Sequence, residues 1–242
     1  MPGTWRRILL ESTGSTNDFL KEGLLGLSDR TVVRAVRQTS GKGRLGRTWE
    51  SPPGGLYASI LLVPPPSPEH ASRVALLIAD IICGELLRAG IGACVKWPND
   101  VIADDGKIAG ILPEYGTFPV PWFVTGMGVN LAAAPSIPGR NGPPPAAWAR
   151  FAPPPDPDAL LDRLLLELDE AWPDRTLDPI SDRAEGITGR LWMSGREVEV
   201  VRGERLDTGI VKGIDAQGRL LLSTGSGMIY LDSGELSPVR SR

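Results

Sequence analysis

The feature that most constrains the fold is the segment 71–89, which carries apolar residues nearly all round its helical surface. A helix without a polar face has to be buried by other parts of the chain. Short β-branched or alternating runs on both sides of it, at 8–10, 31–37, 55–63 and 122–131, predict strands. We therefore expect an α/β (α+β) domain in which a mixed sheet is backed by helices.

Further elements follow from turn and helix signals. Residues 93–97 predict a strand, and the tight-turn signal Asp104-Asp105-Gly106 predicts a hairpin between 101–103 and 107–112. Two more segments, 18–25 and 158–172, have helical periodicity. Ser15 and Asp18 have the spacing of a capping box before the first of these helices, and Pro173 ends the second.

After about residue 187 the pattern changes to short strands separated by glycine-containing turns, at 197–201, 209–214, 219–223 and 228–231. This pattern predicts a small β barrel, and hence two domains at 1–186 and 187–242. Within the first of these domains lies the segment 132–157, with nine prolines and no periodicity. We expect a long surface excursion there; it is either a rigid loop or, as the less favoured alternative, a polyproline ligand for a partner.

Composition excludes several classes of protein. The chain has 242 residues with 26 Lys+Arg against 29 Asp+Glu, and this net charge of −3 argues against a protein that coats nucleic acid. Two cysteines cannot build a disulfide framework, and a single histidine excludes a His-rich metal site. The sequence shows neither a signal peptide nor about 18 consecutive apolar residues, so we expect a cytoplasmic protein without a membrane partner.

The composition of the loop Gly41-Lys42-Gly43-Arg44-Leu45-Gly46-Arg47 indicates a functional rather than a purely structural role. Its glycines allow backbone N–H groups to approach an anion, and its three cations match a phosphate or a carboxylate. It is neither a P-loop nor a Rossmann fingerprint. Taken alone, an exposed flexible basic turn explains it equally well.

Three later segments can likewise be interpreted as functional or as purely structural. Lys96-Trp97-Pro98-Asn99-Asp100 predicts either contacts to a metal-bound triphosphate or a simple turn. Lys107 begins an otherwise apolar strand, where a lone lysine is usually just solvated. Gly126-Met127-Gly128-Val129-Asn130 places two glycines in a strand, which indicates close approach by a ligand or tight packing.

In their order and spacing, these strings resemble the biotin protein ligases. The resemblance rests on Ser15-Thr16-Asn17, the glycine loop with Trp49, the Lys-Trp-Pro-Asn-Asp string, Lys107-Ile108-Ala109-Gly110-Ile111-Leu112 and the Gly-x-Gly-x-Asn string. It implies an enzyme that makes biotinyl-5′-AMP from biotin and Mg·ATP, releases pyrophosphate and passes biotin to a lysine of a biotin carboxyl carrier protein domain. It also implies that the terminal module is the SH3-like domain of the family.

The resemblance also assigns residues. Biotin contacts would come from Ser15, Thr16, Asn17, Gln38, Gly41, Lys42, Trp97, Lys107 and Gly110. Adenylate contacts would come from Lys42, Arg44, Arg47, Trp49, Asn99, Asp100 and Asn130. Lys107 and Arg44 would be catalytic, and Asn99 and Asp100 would face Mg²⁺. One departure is Lys42, because the family most often has arginine there and lysine lacks the bidentate fork.

Some partners and alternatives remain open at this point. The Ser-Thr-Asn string starts at residue 15, so we expect no N-terminal DNA-binding domain and no DNA partner, while a homodimer stays open. The alternatives are a lipoate or octanoate ligase or transferase of the same superfold and a non-catalytic biotin-binding regulator.

Overall fold

A computed structural model describes residues 4–136 and 142–239, and these residues form two β-sheets and four α-helices. In chain order the elements are β1 (Arg6–Thr13), α1 (Thr16–Glu22), β2 (Thr31–Gln38), β3 (Leu56–Leu62), α2 (Pro68–Arg88), β4 (Ala93–Lys96), β5 (Asp100–Ala103), β6 (Gly106–Gly116), β7 (Trp122–Val129), α3 (Pro157–Ala171), α4 (Ala184–Gly189), β8 (Glu197–Arg202), β9 (Arg205–Ile214), β10 (Leu220–Thr224), β11 (Gly227–Leu231) and β12 (Glu235–Pro238).

The larger sheet has seven strands in the order β1-β2-β3-β7-β6-β5-β4. β1 and β2 are parallel, whereas every other neighbouring pair is antiparallel. The predicted mixed sheet is therefore confirmed. The predicted hairpin is confirmed as well: β5 and β6 are joined by a turn in which Asp104 has a positive φ of 48°.

Helices cover both faces of this sheet. Successive residues of β2 point to opposite faces, so Val32 packs in the main core with α2 and α3, while Val33 packs with Leu20 of α1. Most of α2 is buried from Val74 to Leu86, which confirms the buried helix. The Ser15 hydroxyl caps α1 by accepting a hydrogen bond from the Asp18 amide at 3.4 Å, as the capping-box spacing predicts.

The proline-rich segment differs from its prediction, and its residues 137–141 lie outside the described part of the chain. Ala146, Ala147 and Trp148 are buried, so the segment is not a surface excursion throughout. The backbone of Pro144 and Ala146 pairs with that of Lys107 at the start of β6, through hydrogen bonds of 2.7 and 2.9 Å. Prolines hide this pairing from a sequence pattern because they interrupt strand periodicity while still offering carbonyl acceptors.

The smaller sheet is antiparallel, with the strand order β11-β10-β9-β8-β12. Its first four strands were predicted, whereas β12 and α4 were not, because both are too short to show a period. Segments next to the smaller sheet contact the larger one. Val95 of β4 forms a bridge with Leu191, which precedes β8, and the Trp97 indole after β4 donates to the carbonyl of Gly218 in the β9–β10 turn at 3.0 Å. The boundary between 186 and 187 stays a prediction. Among the described helices, none is long and apolar enough to cross a membrane.

Candidate functional site

A cavity of about 630 Å³ lies where the glycine loop, the larger sheet and the start of β12 meet. It collects most of the residues that the sequence analysis singled out. Ser15, Thr16, Asn17, Gln38, Lys42, Arg44, Arg47, Trp49, Asn99, Asp100, Lys107 and Gly110 all line it. Residues more than 90 positions apart in sequence therefore share one chamber, which makes it the candidate active site.

The floor of the cavity carries a buried lysine. Lys107 is only 9% exposed, and its Nζ lies 2.6 Å from Oδ1 of Asp100. Asp100 is equally buried, and Lys96 Nζ lies 3.9 Å from its other oxygen. The interpretation of Lys107 as an ordinary solvated lysine is therefore wrong, since burying an amino group costs free energy that its carboxylate partner has to offset.

The backbone around Lys107 is fixed from two directions. Its amide and carbonyl pair with the proline-rich segment, and the Asn130 side-chain amide donates to the carbonyls of Lys107 and Ala146 at 3.4 and 3.1 Å. The lysine ammonium lies 5.2 Å from the centroid of the Trp49 ring, within the range of a cation–π contact. The position of the amino group is thus set by β6, the proline-rich segment and the loop together.

All three cations of the glycine loop contact protein groups. Lys42 Nζ lies 2.7 and 2.9 Å from the two oxygens of Asp18 on α1. Arg44 donates to Oδ1 of Asn99 at 2.9 Å and to the Gly234 carbonyl at 3.5 Å, and Arg47 forms an ion pair with Glu235 of β12. Loop residues therefore contact three separate parts of the fold.

The loop itself is a small folded unit. Gly43 donates to the Arg47 carbonyl at 2.8 Å and Trp49 to the Gly41 carbonyl at 2.9 Å, while Leu45 is exposed with a φ of 56°. The Trp49 indole packs closely against Gly128 of β7. A Cβ added at Gly128 would lie 2.5 Å from Cε2 of Trp49, so glycine is required there for the indole to pack.

A second wall of the cavity is polar. Oε1 of Gln38 accepts hydrogen bonds from the Thr16 amide at 2.8 Å and the Thr16 hydroxyl at 3.0 Å. The Ser59 hydroxyl lies 2.7 Å from the Thr16 hydroxyl and 2.6 Å from Oδ1 of Asn17, and can donate its single proton to either of them. The side-chain carbonyl of Asn17 sits so close to β7 that any Cβ at Gly126 would overlap it. This wall offers donors and acceptors in fixed positions.

The polar wall continues outward through charged groups. Nδ2 of Asn17 donates to Oε2 of Glu114 at 2.6 Å, and Lys21 lies 2.7 Å from the other oxygen of Glu114 and 2.9 Å from Asp18. Burial alone would raise the pKa of the Asp18 carboxyl, but the hydrogen bonds from Lys42 and Lys21 outweigh it and lower the pKa. In the same way, Glu114 and Asp18 raise the pKa of Lys21 against the effect of burial.

Three predicted site residues do not line the cavity. Trp97 is buried and directs its indole N–H toward the smaller sheet. Asn130 lies behind β6, where it contacts backbone carbonyls, and Gly41 contributes backbone contacts to Trp49. Asn99 and Asp100 line the cavity but are occupied: Asn99 contacts Arg44 and the Ile111 carbonyl, and Asp100 contacts lysine.

The described residues contain no cluster of three or more His, Cys, Asp or Glu side chains that could hold a metal ion. Sequence reasoning also missed members of the site, namely Asp18 as an acceptor for the loop, Ser59, Glu114 and Glu235. The spacing of Ser15 to Asp18 does identify Asp18, but only as a capping residue. No local sequence pattern distinguishes Glu235 from the other acidic residues of the β module.

Comparisons with known proteins agree with this arrangement. The family model "Biotin/lipoate A/B protein ligase family" matches residues 9–115, and "Biotin protein ligase C terminal domain" matches 193–237. A biotin–[acetyl-CoA-carboxylase] ligase of Paracoccus denitrificans is 32% identical over 94% of this chain and 98% of its own length. One of Mycobacterium tuberculosis is also 32% identical, over 98% of this chain and 90% of its own. The biotin protein ligase of Aquifex aeolicus, solved in complex with biotin and ATP, is 29% identical with a TM-score of 0.82, covering 98% of this chain and 99% of that one.

Proposed function

The chain belongs to the biotin protein ligases, and we propose on that basis that it activates biotin with ATP and transfers it to a carrier protein. The observation that carries the proposal is the convergence of a buried lysine, a cationic loop and a polar wall on one cavity. The acceptor we propose is a lysine of the biotin carboxyl carrier protein domain of a biotin-dependent carboxylase. The relatives named above support that choice, since their names specify acetyl-CoA carboxylase.

In the first step, a carboxylate oxygen of biotin attacks the α-phosphorus of ATP. A new P–O bond forms, the bond to the β-phosphate breaks, and pyrophosphate leaves with its electron pair. Lys107 is suited to this step because its ammonium is fixed by Asp100 and can neutralise first the carboxylate and then the charge on the α-phosphate. Arg44 at the cavity wall supplies a second, bidentate cation.

In the second step, the neutral amine of the acceptor lysine attacks the acyl carbon of biotinyl-5′-AMP. An amide bond forms, AMP leaves, and the amine loses a proton to solvent. No nucleophile from the enzyme is needed, so positioning and charge neutralisation suffice. A closed loop also keeps water from the mixed anhydride before the carrier arrives.

We assign the polar wall to the ureido head of biotin. Ser15, Thr16 and Gln38 present hydroxyl and amide groups held by Ser59 and Ser51. Asn17 and Gly110 flank the same wall, and Lys42 closes it from the loop. Trp97 and Gly41 lie behind the lining, so any contribution they make to biotin binding passes through the backbone or through packing.

We assign the space beneath the loop to ATP. Trp49 would stack on adenine, and Arg44, Arg47 and Asn99 would contact phosphates. Asn130 fits an adenine contact in one respect, since its Oδ1 is buried without a hydrogen-bond partner among the described residues. The donor set does not form a magnesium site by itself, because the carboxylate of Asp100 is paired with lysine. Magnesium held mainly by substrate phosphates is compatible with that.

Mass spectrometry of the bound adenylate tests the proposal. The protein is incubated with Mg·ATP and, separately, with biotin, lipoate or octanoate. We expect biotinyl-AMP and no other acyl-AMP. Lipoyl- or octanoyl-AMP would favour the lipoate branch that the family model also covers. Biotin binding without any adenylate would favour the binding regulator and leave Lys107 without a catalytic role.

A further inference from the structure

The glycine loop is held to α1 by an ion pair between Lys42 and Asp18. Lys42 places its Nζ between the two carboxylate oxygens of Asp18, at 2.7 and 2.9 Å. The other two loop cations contact Asn99 and the region of β12, on the far side of the cavity. Among the contacts of the three loop cations, the Asp18 pair is the one that holds the side of the loop next to α1.

We propose that Asp18 is a positioning residue that keeps the loop closed over the cavity through Lys42, and so retains the activated intermediate. This inference rests on the proposed function for its consequence in catalysis, but the closure itself does not. Asp18 does not need to touch biotin or ATP for this role, because it acts on the loop. Lys42, at a position where the family most often has arginine, fits this role, since a single amino group can contact both oxygens of one carboxylate.

Asp18 is itself held in place before the loop arrives. Its amide is bound by the Ser15 hydroxyl, and its carboxylate also contacts Lys21 at 2.9 Å. Lys21 in turn contacts Glu114, which holds Asn17 at the polar wall. The loop therefore closes on an acceptor whose position is fixed by the same hydrogen-bond network that forms the proposed biotin subsite. A fixed acceptor lowers the entropic cost of closing.

The pair is weak enough to open. The side chain of Lys42 is 50% exposed and that of Asp18 is 26% exposed, so solvent and salt screen their attraction. Exposed ion pairs of this kind change an equilibrium by about two- to five-fold. An effect of that size shifts the closed population without preventing substrate entry and product release.

Limited proteolysis measures closure without using the activity. Lys42, Arg44 and Arg47 are trypsin sites, and all three remain in Asp18→Asn, which preserves shape but removes the charge. We expect cleavage within 42–47 to be about two- to five-fold faster in Asp18→Asn than in the wild-type protein. Asp18→Glu, which keeps a carboxylate, should restore slow cleavage. Glu22→Gln removes an exposed acid from the same helix and serves as the matched control.

Retention of the intermediate is measured next, as the rate at which biotinyl-AMP leaves each variant. We expect Asp18→Asn to release it two- to five-fold faster, with little difference from the wild-type protein at 1 M salt, where the pair is screened. Equal cleavage and equal release in Asp18→Asn and Glu22→Gln would overturn the proposal. Faster cleavage in a protein that makes no biotinyl-AMP would support the closure role while refuting the proposed function, so the two failures are distinguishable.

Discussion

Replacing Lys107 by methionine separates the chemical role of this residue from its structural one. Methionine keeps the approximate length of the side chain but removes its charge. Asp100 then remains 9% exposed, with Lys96 at 3.9 Å as the nearest cation that the ion pairs of the site provide. Breaking a buried pair costs about 3–5 kcal/mol. Because Lys96 partly compensates, we expect a loss of about 3 kcal/mol in unfolding free energy, the lower end of that range.

A second substitution removes the carboxylate charge of Asp100, which Lys107→Met leaves without its nearest cation. In Lys107→Met/Asp100→Asn, neither partner is ionised, and we expect the unfolding free energy to return to within about 1 kcal/mol of the wild-type value. Activity should not return. Loss of a charged group that stabilises the transition state costs about 100- to 1,000-fold in rate, so both variants should make biotinyl-AMP at least about 100-fold more slowly. Lys212→Met, at an exposed position of β9, is the matched control for loss of a lysine.

Urea titration followed by tryptophan fluorescence gives the unfolding free energies, and pyrophosphate release in a single turnover gives the rates. If Lys107→Met unfolds like the wild-type protein, the lysine does not offset the charge of Asp100. If the stable double variant forms adenylate within a few-fold of the wild-type rate, Lys107 has no chemical role in that step.

Packing at Gly128, base stacking on Trp49 and protonation of the Cys94 thiol each give a further testable outcome. Gly128→Ala places a Cβ 2.5 Å from the Trp49 indole, so the indole must move, and adenylate formation in the single-turnover assay should fall about 10-fold or more. Gly92→Ala is the control: no atom lies within 4 Å of its Cβ, so it should leave the rate unchanged. Trp49→Ala should weaken ATP by about 1–3 kcal/mol, the value of a lost base–aromatic stack, and biotin by much less, as calorimetric titration of each ligand would show; equal losses for both ligands would contradict the stacking role. Burial raises the pKa of the Cys94 thiol to about 11, so the native thiol should react with iodoacetamide at pH 8 about 100-fold more slowly than the same thiol in urea. Because the unfolded thiol ionises first, this group lowers the unfolding free energy as the pH rises from about 9 to about 11. Cys94→Ala should remove that component from an alkaline unfolding series.

The sequence predicts those parts of the fold and site in which residues that are close in the chain are also close in space. The β5–β6 hairpin is specified by its own turn, and α1 by the Ser15 cap. The glycine loop is recognisable because its glycines and cations are consecutive. Such features depend on local chemistry, which a single sequence displays directly.

Other parts of the site depend on contacts that no local pattern encodes. Asp18 meets Lys42 across 24 positions, and Glu235 meets Arg47 across 188. Trp97 illustrates the same limit, since it follows β4 at a turn where an aromatic can face either the cavity or the smaller sheet. Likewise, the burial of Ala146–Trp148 depends on pairing with Lys107, almost 40 residues earlier. In each case the partner, not the residue, decides the role.

The closed loop has a consequence for how ligands bind. Each of its cations already has a protein acceptor: Asp18 for Lys42, Asn99 for Arg44 and Glu235 for Arg47. A phosphate that recruits Arg44 or Arg47 must therefore displace Asn99 or Glu235, so the net gain is the difference between two charge-assisted contacts. The pair of Arg47 with Glu235 is partly exposed to solvent, and exposed pairs are worth about 0.2–1 kcal/mol, so a phosphate can replace Glu235 at small free-energy cost. Glu235 lies on β12, and the Gly234 carbonyl next to it also accepts a hydrogen bond from Arg44. On the proposed function, the start of β12 would therefore hold these two cations until the phosphate arrives.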